Sequence, residues 1–224
     1  MDIEKETPLT ETETKLARKA ARRRLPRFDL IAGNVCLDFV NTLDDRYLKP
    51  KELLETYADL LRFGEDSGVL DARQADRLYE RNSVDPARAQ QVLLRGRELR
   101  EAIHQVFFAI IHRQPVPPAA LARLNGDVQS AAGHMRLVPV KGGFEWTFEN
   151  LDEFDSVLWP IARSAAALLA SDQLTYVRAC FSKTCEWFFL DTSKNHHRRW
   201  CDMTRCGNRA KVQRFYERQR KASS

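Results

Sequence analysis

Four of the chain's five cysteines fall between positions 180 and 206, as Cys180-x(4)-Cys185, a fifteen-residue gap, and Cys201-x(4)-Cys206. Two short pairs joined by one loop is the spacing of a tetrahedral four-thiolate zinc site, because each pair can wrap one side of the ion. Iron–sulfur clusters also accept four thiolates, but the two symmetric gaps fit neither common ferredoxin spacing, and a redox dithiol favours a two-residue gap. Four protein sulfurs leave no position for water, so the ion is expected to be structural. Gly207, after the last cysteine, lets the backbone turn tightly and approach the thiolate, and Asn208 is suited to cap a helix.

That helix, from about 209 to 221, carries Lys211, Arg214, Arg218 and Lys221 within about 80° of one another at 100° per residue. Val212, Phe215 and Tyr216 gather on the opposite side, which is expected to pack. Residues 180–224 hold eleven Lys and Arg against four Asp and Glu, so a chain of net charge +5 is negative over its first 179 residues. A cationic helix projecting from a metal knuckle suits a phosphate backbone, where neutralisation releases counterions. Arg209 near the helix start, and Arg198 and Arg199 before the third ligand, are further candidates for contact with DNA. The same stripe could instead dock on the acidic remainder of the chain, bind an acidic partner, or bind RNA.

With 224 residues, 43% of them hydrophobic, the chain suits one compact domain plus an appendage or two small domains. Its start lacks the pattern of a secretory signal, and no apolar run reaches the roughly 20 residues needed to cross a bilayer. A cytoplasmic, reducing compartment follows as the expectation, one in which paired cysteines are ligands and not disulfides. G-x-S-x-G, Walker, G-x-G-x-x-G and H-E-x-x-H motifs are all missing, which favours a binding protein over an enzyme.

The expected class is mainly α: a helical N-terminal domain with one small β-hairpin, then a small four-cysteine zinc finger ending in a basic helix. Residues 1–26 read as a charged arm ending in Arg22-Arg23-Arg24. Helices are expected over 36–45, 51–63, 71–81, 86 to about 114, 118 to about 132 and 152–171, with Pro160 marking a kink or the true start of the last. The helix opened by Asp85-Pro86 repeats Val92, Leu93, Leu99, Ile103, Val106 and Phe107 at helical spacing and is the candidate core helix. Residues 135–140 and 144–148 alternate around Lys141-Gly142-Gly143 as a hairpin whose Phe144, Trp146 and Phe148 are expected to cover the core, or to form an aromatic platform for a ligand. Asp38 and Asn41 share a polar face of the first helix and are the only candidates for a small-molecule effector site, against the simpler role of bonding local backbone. Lone Cys36 reads as a buried small hydrophobe, and His104 and His112 as packed or surface residues. The finger is expected to dock closely on the domain, with Trp187, Trp200 and Phe188 or Phe189 forming a small core of its own.

The run from Cys180 through Trp187, Asp191 and Trp200 to Cys206-Gly207-Asn208-Arg209 closely resembles the CGNR zinc finger, named for its last ligand and the three residues after it. Gly33-Asn-Val-Cys-Leu-Asp-Phe-Val-Asn-Thr42 resembles the opening of the ABATE domain, the helical partner of this finger in bacterial proteins described as stress-induced transcription regulators. The resemblance implies ligand roles for Cys180, Cys185, Cys201 and Cys206, one structural zinc ion, and a DNA-facing role for the last helix, while His196 and His197 inherit none. It divides the chain into the arm, an ABATE-like domain over 27–173 and a finger over 174–224. The function expected is a DNA-binding transcription regulator whose helical domain senses a small-molecule effector or forms a homodimer, with no membrane partner. The alternative is a zinc-stabilised protein-interaction or RNA-binding module.

Overall fold

The computed structural model describes residues 28–182 and 184–222, and in α7 (below) it leaves out the side chains of 214, 217, 218 and 220–222. The expected 1–26 arm lies outside the described residues.

The chain is mainly helical. A short helix α1 (Val35–Val40) is followed by a two-residue hairpin, β1 (Leu43–Asp44) and β2 (Lys51–Glu52), then α2 (Tyr57–Asp66), α3 (Ala72–Val84), α4 (Pro86–Ile111) and α5 (Pro118–Gly133). A longer hairpin, β3 (Met135–Val140) and β4 (Gly143–Phe148), precedes α6 (Leu158–Leu169); β5 (Val177–Ala179), β6 (Phe188–Leu190) and α7 (Asn208–Ala222) complete the chain. The three two-stranded sheets are antiparallel, so two small hairpins join the one the sequence predicts.

Helix α4 is the centre of the core. The Asp85 carboxylate accepts from Arg88 N at 2.9 Å and Pro86 supplies the first turn, after which Val92, Leu93, Leu99, Ile103, Val106 and Phe107 are all buried. Gly96 lets Leu158 approach, since a Cβ there would lie 3.2 Å from its Cδ2. Helices α2 and α3 start from capping boxes, Thr56 with Asp59 and Asp71 with Gln74. Pro160 sits in the first turn of α6, which a short 3-10 segment, Phe154–Val157, leads into, so the proline marks a start and not a kink.

Two expected helices are shorter than their periodicity implies. α1 stops at Asn41 because that side chain and Thr42 are used elsewhere: Thr42 Oγ1 donates to Phe39 O, and its carbonyl accepts from Leu53 N. Residues 51–52 are strand because Glu52 accepts two 2.6 Å bonds from the 3% exposed Arg100 on α4, which also reaches Thr42 Oγ1 at 3.2 Å. A buried guanidinium satisfied by a bidentate carboxylate outweighs local helix propensity.

The β3–β4 aromatics only partly cover the core. Phe148 packs beside Trp159, while Trp146 and Phe144 are 54% and 69% exposed. Six-residue strands reach about 20 Å, so the outer half overshoots the helices beneath its base. Among the described residues, no helix is long and apolar enough to cross a membrane.

Candidate metal centre and basic helix

The finger is assembled from two halves. In the first, β5 and β6 pair Ala179 with Phe188, and Cys180 N donates to Trp187 O at 2.8 Å, so Cys180 and Cys185 face each other across the tip of the hairpin. In the second, a π-turn over Met203–Gly207 carries Cys206 into α7. A 2.8 Å bond from Phe181 N to Arg199 O ties the halves together.

The sequence placed the cap one element too late. Asp202 caps the turn, its Oδ1 accepting from Thr204 N at 2.5 Å and Arg205 N at 3.2 Å, and Asn208 is already helical, donating from Nδ2 to Thr204 O. Gly207 lies close against Met203, since a Cβ there would sit 3.0 Å from its Sδ and push that side chain aside. An Asp two residues before a Thr, next to the third ligand, was the signal available in the sequence.

The four sulfurs lie within 4.8 Å of one another, with Cys185 to Cys201 at 3.6 Å and Cys201 to Cys206 at 3.7 Å. A tetrahedron with Zn–S bonds of about 2.3 Å has edges of about 3.8 Å, so the donor set and its spacing fit one zinc ion held by Cys180, Cys185, Cys201 and Cys206. The electrostatics point the same way. Hydrogen bonds from Cys185 and Cys201 pull the Cys180 thiol down to about 2, while the same sulfur pushes Cys185 and Cys201 well above the ordinary thiol value; burial raises Cys206. Sulfurs this close repel one another as thiolates, and a divalent cation among them offsets that repulsion. Cys185 is half-buried and the other three are buried; a small cleft lined by Asp44, Asp45, Trp187, Arg205 and Arg209 reaches Cys185, Cys201 and Cys206. Cys36, as expected, is a buried hydrophobe outside the cluster, burial pushing its thiol up to about 12.

The finger has no separate core. Phe188, Phe189 and Leu190 are buried, and the strand they form lies on α1. The Asn41 side chain makes a two-way clamp on it, Nδ2 donating to Phe188 O at 2.9 Å and Oδ1 accepting from Phe188 N at 3.0 Å. Trp187 Nε1 donates to Asp44 Oδ1 at 2.9 Å, Leu190 N donates to Ala32 O at 2.7 Å, and Arg205 pairs with Asp29. His104 on α4 stacks on Phe188 with centroids 5.1 Å apart, and burial lowers its pKa to about 4, so it is neutral here. Close docking of the finger was legible from the short connection; the residues that do it were not, because Asn41 and His104 lie 147 and 84 positions from Phe188.

Asn41 therefore closes the seam between domain and finger: of the two roles open to it, it takes the one of bonding backbone, but the backbone is the distant Phe188 and not a local loop. Asp38 Oδ1 accepts from Ala32 N at 2.9 Å, and burial raises its carboxyl to about 6. The two residues hold backbone in place.

The DNA candidates separate into three groups. Arg198 is turned inward, donating from Nε to Trp200 O at 2.9 Å and from Nη2 to Cys201 O, over the Phe189 ring; it braces the third ligand, which corrects its assignment to the DNA face. Arg199 is exposed and stacks 4.2 Å over Phe181, Arg209 is exposed with Nη1 on Thr184 Oγ1 at 2.7 Å, and Lys211 is exposed. The side chains of Arg214, Arg218 and Lys221 lie outside the described residues, although their backbone belongs to α7. The apolar side of α7 does not pack as expected: Val212, Phe215 and Tyr216 are 53%, 58% and 59% exposed. The helix rests on the π-turn that launches it. His196 stacks on Tyr176 and sets its Nδ1 against Asp191 O at 2.8 Å, a loop-bracing part and not a ligand.

A family model described as "Putative stress-induced transcription regulator", the ABATE domain, matches residues 33–172, and the CGNR zinc finger matches residues 176–219. None of the curated proteins matches the chain. The chain belongs to the ABATE family and ends in a CGNR zinc finger that binds one zinc ion.

Proposed function

We propose that this protein is a DNA-binding transcription regulator of the cytoplasm, not an enzyme, in which the zinc ion fixes the launch point of α7 and the helix lies along phosphates of duplex DNA. The observation that carries the reading is the position of that helix. It leaves the last zinc ligand directly and keeps Arg209 and Lys211 exposed, with Arg199 on the same small module. Arg214, Arg218 and Lys221 extend the cationic run by sequence. Exposed cations on a rigid helix gain affinity by counterion release without base contacts, so Lys211 and Arg214 position the protein and Arg209 is the candidate for a base edge. The helical domain either senses an effector or assembles the protein, and the Asn41–Phe188 clamp is the route by which it would act on the finger.

The exposed Val212, Phe215 and Tyr216 favour a second reading, a protein-interaction module whose partner covers that stripe and meets the basic residues with acidic ones. Fluorescence anisotropy of the zinc-loaded chain on duplex DNA, RNA and an acidic peptide, across about 50–200 mM salt, separates them. Replacing Lys211 and Arg214 together by Ala should weaken duplex binding and flatten the log–log salt slope by about two, with zinc content unchanged. Unchanged duplex affinity removes the helix from the proposal, and preference for the peptide selects the second reading.

A further inference from the structure

The β3–β4 hairpin presents one face made entirely of apolar residues. Register puts Met135 opposite Phe148, Leu137 opposite Trp146 and Pro139 opposite Phe144, and side chains directly opposite one another share a face. Cover on this face fades along its length: Phe148 meets Trp159 and Met135 is half-buried, whereas Leu137, Trp146 and Phe144 are 53%, 54% and 69% exposed. The charged residues point the other way, Arg136 and Glu145 alternating onto the opposite face, where Arg136 pairs with Glu149. No described residue covers the outer half. A two-stranded hairpin is marginal by itself in water and gains from having its apolar face packed.

We propose that this face is a homodimer interface, closed by the same face of a second copy across a twofold axis. Aromatic side chains bury about 150–250 Å² each, so at these exposures Phe144 and Trp146 offer on the order of 120 Å² apiece, and Leu137 with Pro139 bring the patch to about 400 Å². Two copies together would remove about 800 Å², and the flanks of the hairpin need to add only some 200 Å² to reach the roughly 1,000 Å² of a specific interface. The face is suited to itself. Its six residues carry no charge, so pairing it with its own copy buries no ion; a twofold isologous contact is the commonest closed symmetry, and aromatic residues are enriched at such interfaces. The other exposed apolar stripe, on α7, is less suited to self-pairing because Arg209 and Lys211 would bring like charges together. Dimerisation goes beyond DNA binding and stands or falls separately from it.

The test is sedimentation velocity of the zinc-loaded full chain from about 1 to 100 µM, a range set to bracket a micromolar dimer. The wild-type chain should dimerise. Phe144→Ser with Trp146→Ser should raise the dimer dissociation constant by about thirtyfold or more, as loss of buried aromatic anchors does, with thermal unfolding and zinc content retained. Glu145→Ser, on the opposite face, should leave the dimer intact. Should the double variant fail to fold, Leu137→Arg gives the same reading by placing like charges across the axis, and is expected to give a monomer. A wild-type chain that stays monomeric at the highest concentration overturns the proposal, and so does a dimer that survives these substitutions.

Discussion

The helical domain and the finger are held together by different means, although they share a seam. In the domain, α4 and its neighbours bury Phe39, Phe63, Phe107 and Trp159 with a run of leucines, and the bidentate Arg100–Glu52 pair satisfies a buried guanidinium. In the finger, each strand is three residues long, and the buried Phe188–Leu190 strand packs on the domain. Its remaining order comes from four sulfurs arranged for one ion. A domain with a large core tolerates the loss of one contact, whereas a small module with no separate core depends on its metal and on what it leans against.

The largest expected effect tests that contrast at the ion. Cys206→Ser should abolish stoichiometric zinc and release the β5–β6 strands and the π-turn to fast hydrogen exchange, while α4 amides stay protected; the ion supplies about 10–16 kcal/mol in finger peptides. Protection of β6 persisting without zinc would mean that the domain alone folds the finger. Next in size is the seam. Asn41→Ala leaves the buried N–H and C=O of Phe188 unpaired, which should cost about 2–4 kcal/mol, visible as a lower unfolding midpoint and faster zinc loss to a chelator. A normal midpoint with faster zinc loss would show that the seam serves the finger and not the domain.

The smallest effect lies in pH. Burial depresses His104 to about 4 from an ordinary 6.5, so its contribution is present above pH 6.5 and is lost as pH falls toward 4. His104→Phe, which keeps a ring against Phe188, should therefore lose about 1 kcal/mol less than wild type between pH 7 and pH 5.5 in denaturant titrations. Equal losses in the two proteins would place the acid sensitivity elsewhere, in the thiolates.

Periodicity was enough to find α4, α5 and α6 and to place Phe107 and Ile103 inside, because an apolar stripe at helical spacing can be buried in only one way. The four ligands were equally plain, since zinc accepts few donor types and fixes their spacing. Local signals misled where a distant partner competed for the same residue. Periodicity puts Glu52 in a helix because nothing nearby reveals Arg100, and the sequence offers Asn41 only local backbone or a small ligand because its actual partner, the Phe188 backbone, leaves no mark on side-chain chemistry. Arg198 looked like any other basic residue until its carbonyl acceptors at 200 and 201 were in view. The overshooting aromatics of β4 and the bare side of α7 were read as packed because amphipathicity states which side is apolar and says nothing about whether the chain can reach it.

By itself the sequence determined the metal, the helical class of the body, the family and the cationic character of the end, all consequences of residue type and spacing along the chain. Only the tertiary structure decided which cations face outward, which polar residues lock the finger to α1, and which apolar faces are left without a cover. Those depend on contacts between residues far apart in the chain, and a side chain's role there is set by the partner that reaches it first.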